Sequence, residues 1–226
     1  MERQGTLYIV STPIGNLKDI TLRAIEVLKQ VDLIAAEDTR RTNILTVHYG
    51  INTPLTSYFQ YNKVKKADIL IRLLKEGKNI ALVSDAGTPG ISDPGFVIIK
   101  KALEGNIDVV PIPGPAGFLT ALSISGLPTN KFVFEGFLSN KSTQRRKRLR
   151  EFAGEDRTVI IYESPHRLLK TLQDILDIIG DIDIVCAREL TKKFEEIRRE
   201  RVSDSIRHFS TTKILGEFIL LFHPNK

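Results

Sequence analysis

Residues 84–95 read Ser84-Asp85-Ala86-Gly87-Thr88-Pro89-Gly90-Ile91-Ser92-Asp93-Pro94-Gly95. An apolar run, Ile80-Ala81-Leu82-Val83, leads in and predicts a buried strand. A helical apolar pattern, Phe96 to Leu103, leads out. Gly87, Gly90 and Gly95 admit positive φ and close backbone approach, while Pro89 and Pro94 stiffen the loop. Ser92 or Asp93 is expected to cap the following helix, with Pro94 in its first turn. Such a loop leaves a strand end, exposes unpaired amides and finishes at a helix N-terminus, which is where open α/β sheets bind ligands. The plainer reading, a rigid connector, leaves its length and its doubled Asp unexplained.

Two more turns of this kind lie to either side. Leu7–Val10 reads as a strand entering Ser11-Thr12-Pro13-Ile14-Gly15-Asn16, and Ile107–Ile112 as a strand entering Pro113-Gly114-Pro115-Ala116-Gly117. Leu33–Ala36 is a further strand, ending in Glu37-Asp38-Thr39-Arg40-Arg41 before a helix that runs to Tyr49. Helices are also expected near 22–28 and over 67–76. Strand alternating with helix predicts an α/β protein with a mostly parallel sheet and helices on both faces, in which the three turns share one edge. Beyond the Gly126–Thr129 crossing, strands are expected at 132–137, 158–162, 182–187 and 217–222, with a helix over 168–179. Lys192–Arg201 reads as a solvent-facing loop or helix. Glu163 and Glu189 end strands as Glu37 and Asp85 do, and this symmetry suggests a second sheet facing the first. The chain is accordingly divided into an N-terminal α/β domain, 1–115, with the glycine-rich turns, and a C-terminal α/β domain, 116–226.

Composition limits the function. Of 226 residues 42% are apolar, enough for a real core, and the net charge of +6 suits a polyanionic partner. One cysteine, Cys186, excludes an intrachain disulfide, and His48, His166, His208 and His223 are too scattered for a metal site, so no metal is expected. No run reaches transmembrane length and no leader pattern opens the chain, which reads as cytoplasmic with no membrane partner. Walker, Gly-x-Gly-x-x-Gly and Gly-x-Ser-x-Gly patterns are absent from the sequence.

A strand-end carboxylate such as Glu37 or Asp38 can bind a ribose or an amino group, or take a proton from a hydroxyl; the alternative is an acidic helix start. Asp85 faces the same choice. The run Asn140–Arg150 carries Lys141, Arg145, Arg146, Lys147, Arg148 and Arg150. These cations cover several sides of a helix rather than pairing with acids, a distribution that favours RNA phosphates over a solvated face.

Several blocks together resemble the tetrapyrrole methylase superfamily and, within it, the branch acting on small-subunit ribosomal RNA. They are Leu7–Asn16, Ala35-Ala-Glu-Asp-Thr-Arg40, Leu82–Pro89 with Ile91–Gly95, Val110–Pro115, Phe134–Phe137, Tyr162-Glu-Ser-Pro-His-Arg167 and Ala187–Glu196. The resemblance implies two α/β domains with S-adenosylmethionine in the cleft between them, and a homodimer. It implies methyl transfer to the ribose 2′-hydroxyl of a cytidine in 16S rRNA of the small ribosomal subunit. Cofactor contacts carry over to Pro13, Gly15, Asp85, Ala86, Gly87, Ser92, Pro113, Gly114 and Pro115, and in the second half to Tyr162, Leu190, Gly216 and Phe218. The attacking hydroxyl needs a base, for which Glu37, Asp38 and Glu163 are the candidates. Many members carry a further C-terminal extension after the last strand, whereas this sequence stops at Lys226; if that extension helps hold the ribosomal particle, binding is expected to be weaker or differently arranged here. The competing readings are a methylase of a precorrin-like tetrapyrrole and a non-catalytic ribosome-binding factor.

Overall fold

The computed structural model describes residues 4–59 and 63–225. The chain divides into two compact units, Met1–Ala116 and Gly117–Lys226. The first unit runs β1 (Leu7–Val10), α1 (Leu22–Gln30), β2 (Leu33–Ala36), α2 (Thr39–His48), β3 (Leu55–Ser57), α3 (Lys63–Lys75), β4 (Ile80–Val83), α4 (Phe96–Glu104) and β5 (Val109–Ile112). Its sheet has the order β3-β2-β4-β1-β5, and every pairing is parallel. All four residues of β4 are buried because helices cover both faces, which is why that strand reads as an unbroken apolar run. One face packs Leu7, Ile9 and Leu82 against Leu70, Leu74 and Ile98 of α3 and α4. The other packs Val10, Ala81 and Val83 against Ala24, Leu28 and Leu45 of α1 and α2. Because β4, β1 and β5 are neighbours running the same way, their three following turns leave the sheet side by side.

Two local expectations for this unit change. The N-cap of α4 is Gly95, which offers no side-chain cap, so neither Ser92 nor Asp93 serves that helix and Pro94 falls before its first turn. Asp38 does cap α2, its carboxylate accepting from the Arg40 amide.

The second unit runs α5 (Gly117–Ser123), β6 (Phe132–Phe137), α6 (Ser142–Phe152), β7 (Thr158–Glu163), α7 (Leu168–Ile178), β8 (Asp183–Arg188), β9 (Glu196–Arg201), α8 (Val202–Thr211) and β10 (Phe218–Phe222). Its sheet has the order β6-β7-β10-β8-β9, and only β6 and β7 are parallel. The expected parallel sheet therefore stops with the first unit: β10 inserts between β7 and β8, antiparallel to both. Lys192–Arg201 is corrected as well. Its second half is the edge strand β9, and α8 follows directly. The strand is concealed in sequence because cross-strand ion pairs carry it, Arg188 lying opposite Glu196 with a 3.2 Å contact. Leu149, Phe152, Leu172, Ile175 and Phe209 of α6, α7 and α8 pack on Val159, Ile161, Cys186, Leu220 and Phe222. Burial pushes the Cys186 thiol up to about 12, so it behaves as an inert core residue. Among the described residues no helix is long and apolar enough to cross a membrane, and no group of acidic, His or Cys side chains is placed to hold a metal ion.

Candidate active site

The three glycine-bearing corners meet on the edge of the first sheet. Thr12, just past β1, exchanges both backbone bonds with Gly87 past β4, at 2.9 and 3.0 Å. Its hydroxyl donates to the Ser84 carbonyl at 3.1 Å, and Ser11 and Thr88 share a 2.8 Å hydroxyl contact. The third corner closes on the first: a Cβ at Gly114 would sit 3.0 Å from the Cβ of Ser11. Gly87 lies at the junction with φ +81°, and a Cβ there would come within 3.7 Å of both Ile14 and the Pro115 carbonyl. A side chain at 87 would therefore be strained and would fill the space where the corners converge. Pro13, Gly15, Asp85, Ala86, Gly87, Pro113, Gly114 and Pro115 are thus gathered in one neighbourhood. Ser92 stands further along the β4 loop at φ +64°, a conformation rare for a residue with a side chain.

Carboxylates crowd the same edge. The Asp85 side chain accepts from the Asp38 amide at 2.9 Å and lies 3.4 Å from the Arg41 guanidinium. The Asp85 amide in turn donates to Glu37 at 3.4 Å. Burial, then the neighbouring negative charge of Asp85, pushes the Glu37 carboxyl above its ordinary range. Asp93 is pushed up to about 7, by burial first and by the charge of Glu37 next. The sequence pattern suggests a helix cap at Asp93; its role as the carboxyl most reluctant to ionise depends on a loop that folds back over Ser84. The doubled Asp of the loop is the only signal of that role in the sequence.

The candidate bases separate on geometry. Asp38 is spent as the α2 cap and as a partner of Arg40, whose guanidinium approaches to 2.7 Å and holds the carboxyl well below the usual range. Glu163 is corrected from candidate base to buried keystone. Its carboxylate accepts from Arg167 at 2.6 Å, the Ser164 amide at 2.7 Å and the Thr171 hydroxyl at 2.5 Å, with a fully buried side chain. With its side chain fully buried under these donors, it presents no surface to a substrate hydroxyl. Of the three candidates, Glu37 is the one that lies at the sheet edge with its carboxyl raised above the ordinary range.

In the second unit Tyr162 lies opposite Ile219, and Glu163 opposite Phe218, so the end of β7 meets the start of β10. Leu190 is buried in the adjoining turn after β8, and the Glu189 side chain accepts from the Glu217 amide at 2.9 Å. Tyr162, Leu190, Gly216 and Phe218 therefore share one end of the second sheet.

The basic helix is corrected in its premise. Arg145 and Asp174 form a buried pair at 2.7 Å, Arg146 bridges Asp174 and Asp177, and Arg148 pairs with Glu135 and Glu151. These three arginines hold α6 to α7 and β6. Lys141, Lys147 and Arg150 are exposed.

The fold and this edge define a class. The family model for Tetrapyrrole (Corrin/Porphyrin) Methylases matches residues 6–205. Solved structures with the same fold include a cobalt precorrin-4 methyltransferase, with 17% identity, a TM-score of 0.72 and coverage of 96% of this chain and 94% of that one. Diphthine synthase gives a TM-score of 0.73 at 14% identity, covering 97% of this chain and 90% of that one. The match is far closer to curated proteins named ribosomal RNA small subunit methyltransferase I. Identity is 50% with that of Escherichia coli O157:H7, over 99% of this chain and 79% of the relative. It is 48% with that of Thermotoga maritima, over 96% and 97%. The chain belongs to this methyltransferase family of the tetrapyrrole methylases, whose methyl donor is S-adenosylmethionine.

The residues present fit that donor. The crowded carboxylates of Glu37, Asp85 and Asp93 suit its ammonium, sulfonium and ribose hydroxyls. Gly87, at φ +81°, keeps the junction between Ile14 and the Pro115 carbonyl clear of a side chain.

Proposed function

We propose that the protein transfers a methyl group from S-adenosylmethionine to the 2′-hydroxyl of a cytidine ribose in 16S rRNA. The observation that carries this reading is the convergence of the three corners with Glu37 and Asp85 on one sheet edge, in a chain about half identical to proteins named for that substrate. Pro13–Gly15, Asp85–Gly87, Ser92 and Pro113–Pro115 are the residues assigned to the donor. When bound, S-adenosylmethionine supplies an electrophilic methyl group on a sulfonium.

The chain's own groups do the rest. Asp85 is held in place by the Asp38 amide and Arg41, so it meets a cationic ligand without having to reorganise. Glu37, with its carboxyl raised by burial, takes the proton of the ribose hydroxyl as the new oxygen–carbon bond forms. The rigid corners fix the alignment on which such a displacement depends. Lys141, Lys147 and Arg150 offer exposed charge to RNA phosphates. The protein is read as cytoplasmic and homodimeric, and sedimentation of the pure protein tests the second point.

The decisive experiment incubates small ribosomal subunits with the protein and isotope-labelled donor, then maps 16S rRNA by mass spectrometry. One added methyl on a cytidine ribose is expected. Label on a base, or label only on a tetrapyrrole supplied in parallel, overturns the assignment.

A further inference from the structure

The second sheet carries a row of aromatic rings that the proposed chemistry leaves unexplained. Phe118 of α5 stacks on Phe134 of β6, with centroids 4.4 Å apart and planes 20° apart, and approaches Phe132 at 6.4 Å. Phe134 meets the edge of Tyr162 at 5.0 Å, and Phe137 meets Tyr162 at 5.5 Å. The two outer rings are open to solvent: Phe132 is 37% exposed and Phe137 59%.

Phe137 reaches that row only through a break in β6. Alternation along the strand puts Phe132 and Phe134 on the α5 face. Val133 packs into the core beneath the helices of the other face, and Glu135 binds Arg148 of α6 at 2.7 Å. Continued without interruption, the strand would send residue 137 to that covered side. Instead the register shifts between Phe134 and Gly136, Gly136 takes φ +70°, and Phe137 falls opposite Tyr162. The bulge moves a large apolar ring from a covered face to an exposed one, a loss of burial that a purely structural strand has no reason to accept.

Charge says what the row suits. Lys131 directly precedes Phe132, and Lys141 stands four residues after Phe137; both are exposed. Neither forms an ion pair among the described residues. Exposed rings at both ends of the row, on a segment with an exposed lysine before and after it, match unstacked bases joined by phosphates. We infer that Phe132, Phe118 and Phe134, together with Phe137 across the edge of Tyr162, form a stacking surface for a single-stranded segment of the RNA substrate, with Phe137 as its outermost ring. This rests on the rRNA reading above.

The test uses the full chain and a fluorescent, pyrimidine-rich single-stranded RNA oligonucleotide. Phe137→Ala should weaken RNA binding by roughly 5- to 150-fold, the worth of one stacked base. Phe137→Tyr should keep it within about twofold, since the ring remains. Donor affinity, melting temperature and the salt slope of RNA binding should not move, because a phenyl ring neutralises no phosphate. A 5-iodouridine oligonucleotide should photo-crosslink to Phe137. Unaltered RNA affinity in Phe137→Ala overturns the inference. So does a change in sedimenting mass without a change in RNA affinity, which would make the ring a protein contact. If the unaltered protein methylates small subunits while Phe137→Ala binds RNA equally well, only the stacking surface falls. If the unaltered protein neither binds RNA nor methylates rRNA, both readings fall.

Discussion

The edge of the first sheet and the α6–α7 contact of the second unit both concentrate charge, with opposite chemistry. At the first, Glu37, Asp85 and Asp93 crowd one another, and Asp93 is left with a carboxyl at about 7. At the second, buried Arg145 and Asp174 lie 2.7 Å apart, and Arg146 completes the cluster. Like charges held together cost folding energy and are kept where a ligand of the other sign relieves them. Opposite charges matched within the fold have already found their partners. Counting charges along a sequence cannot separate the two cases; geometry does.

That contrast can be broken in four places. The largest effect on methyl transfer is expected from Gly87→Val. The left-handed backbone penalty is about 1–2 kcal/mol for a residue with a side chain. A displaced corner should also lower methyl transfer on the order of a hundredfold. Calorimetry and a labelled-methyl assay measure the two separately. Next is Asp174→Ala, which strands Arg145 in the interior. Denaturant unfolding should show a loss of about 3–5 kcal/mol, with donor affinity unchanged. Asp174 belonging to the donor site would reverse that outcome.

The third concerns pH. Asp93 has a folded value near 7 against an ordinary 3.8. A carboxyl raised by folding contributes stability that is fully present below its unfolded value and lost as pH rises through the folded one. The ligand-free protein should therefore lose thermal stability between about pH 4 and pH 7 from this group. Asp93→Asn should flatten that decline and melt higher than the parent at pH 8; an unchanged profile removes Asp93 from the strained cluster. The smallest effect is expected on α6. Replacing Lys141, Lys147 and Arg150 with Ala should weaken RNA binding and reduce the salt slope by up to about 3, one for each phosphate no longer neutralised. Donor affinity should hold. An unaltered slope returns these cations to a solvated face.

Much of the first unit was legible because its rules are local. An apolar run, a glycine turn and an amphipathic helix repeat there, and parallel order follows from the alternation. The corners converge because β4, β1 and β5 are neighbours, and the alternation alone could suggest but not fix that order. The second unit was harder, since its decisive pairings span long stretches of sequence. Arg145 finds Asp174, and Arg148 finds Glu135, across turns that no periodicity reveals. β9 passed for a charged loop because its side-chain contacts are ionic, Glu196 to Arg188 and Arg201 to Asp183 across to β8 and Arg198 to Glu200 along the strand. Glu163 matched the pattern of a strand-end carboxylate, yet Arg167 and Thr171 consume it.

The most direct test of the carboxylate-lined edge is a calorimetric titration of S-adenosylmethionine into the unaltered protein and into Asp85→Ala. The account predicts measurable binding to the first and none to the second, with both proteins folded. Equal affinity in the two would contradict it.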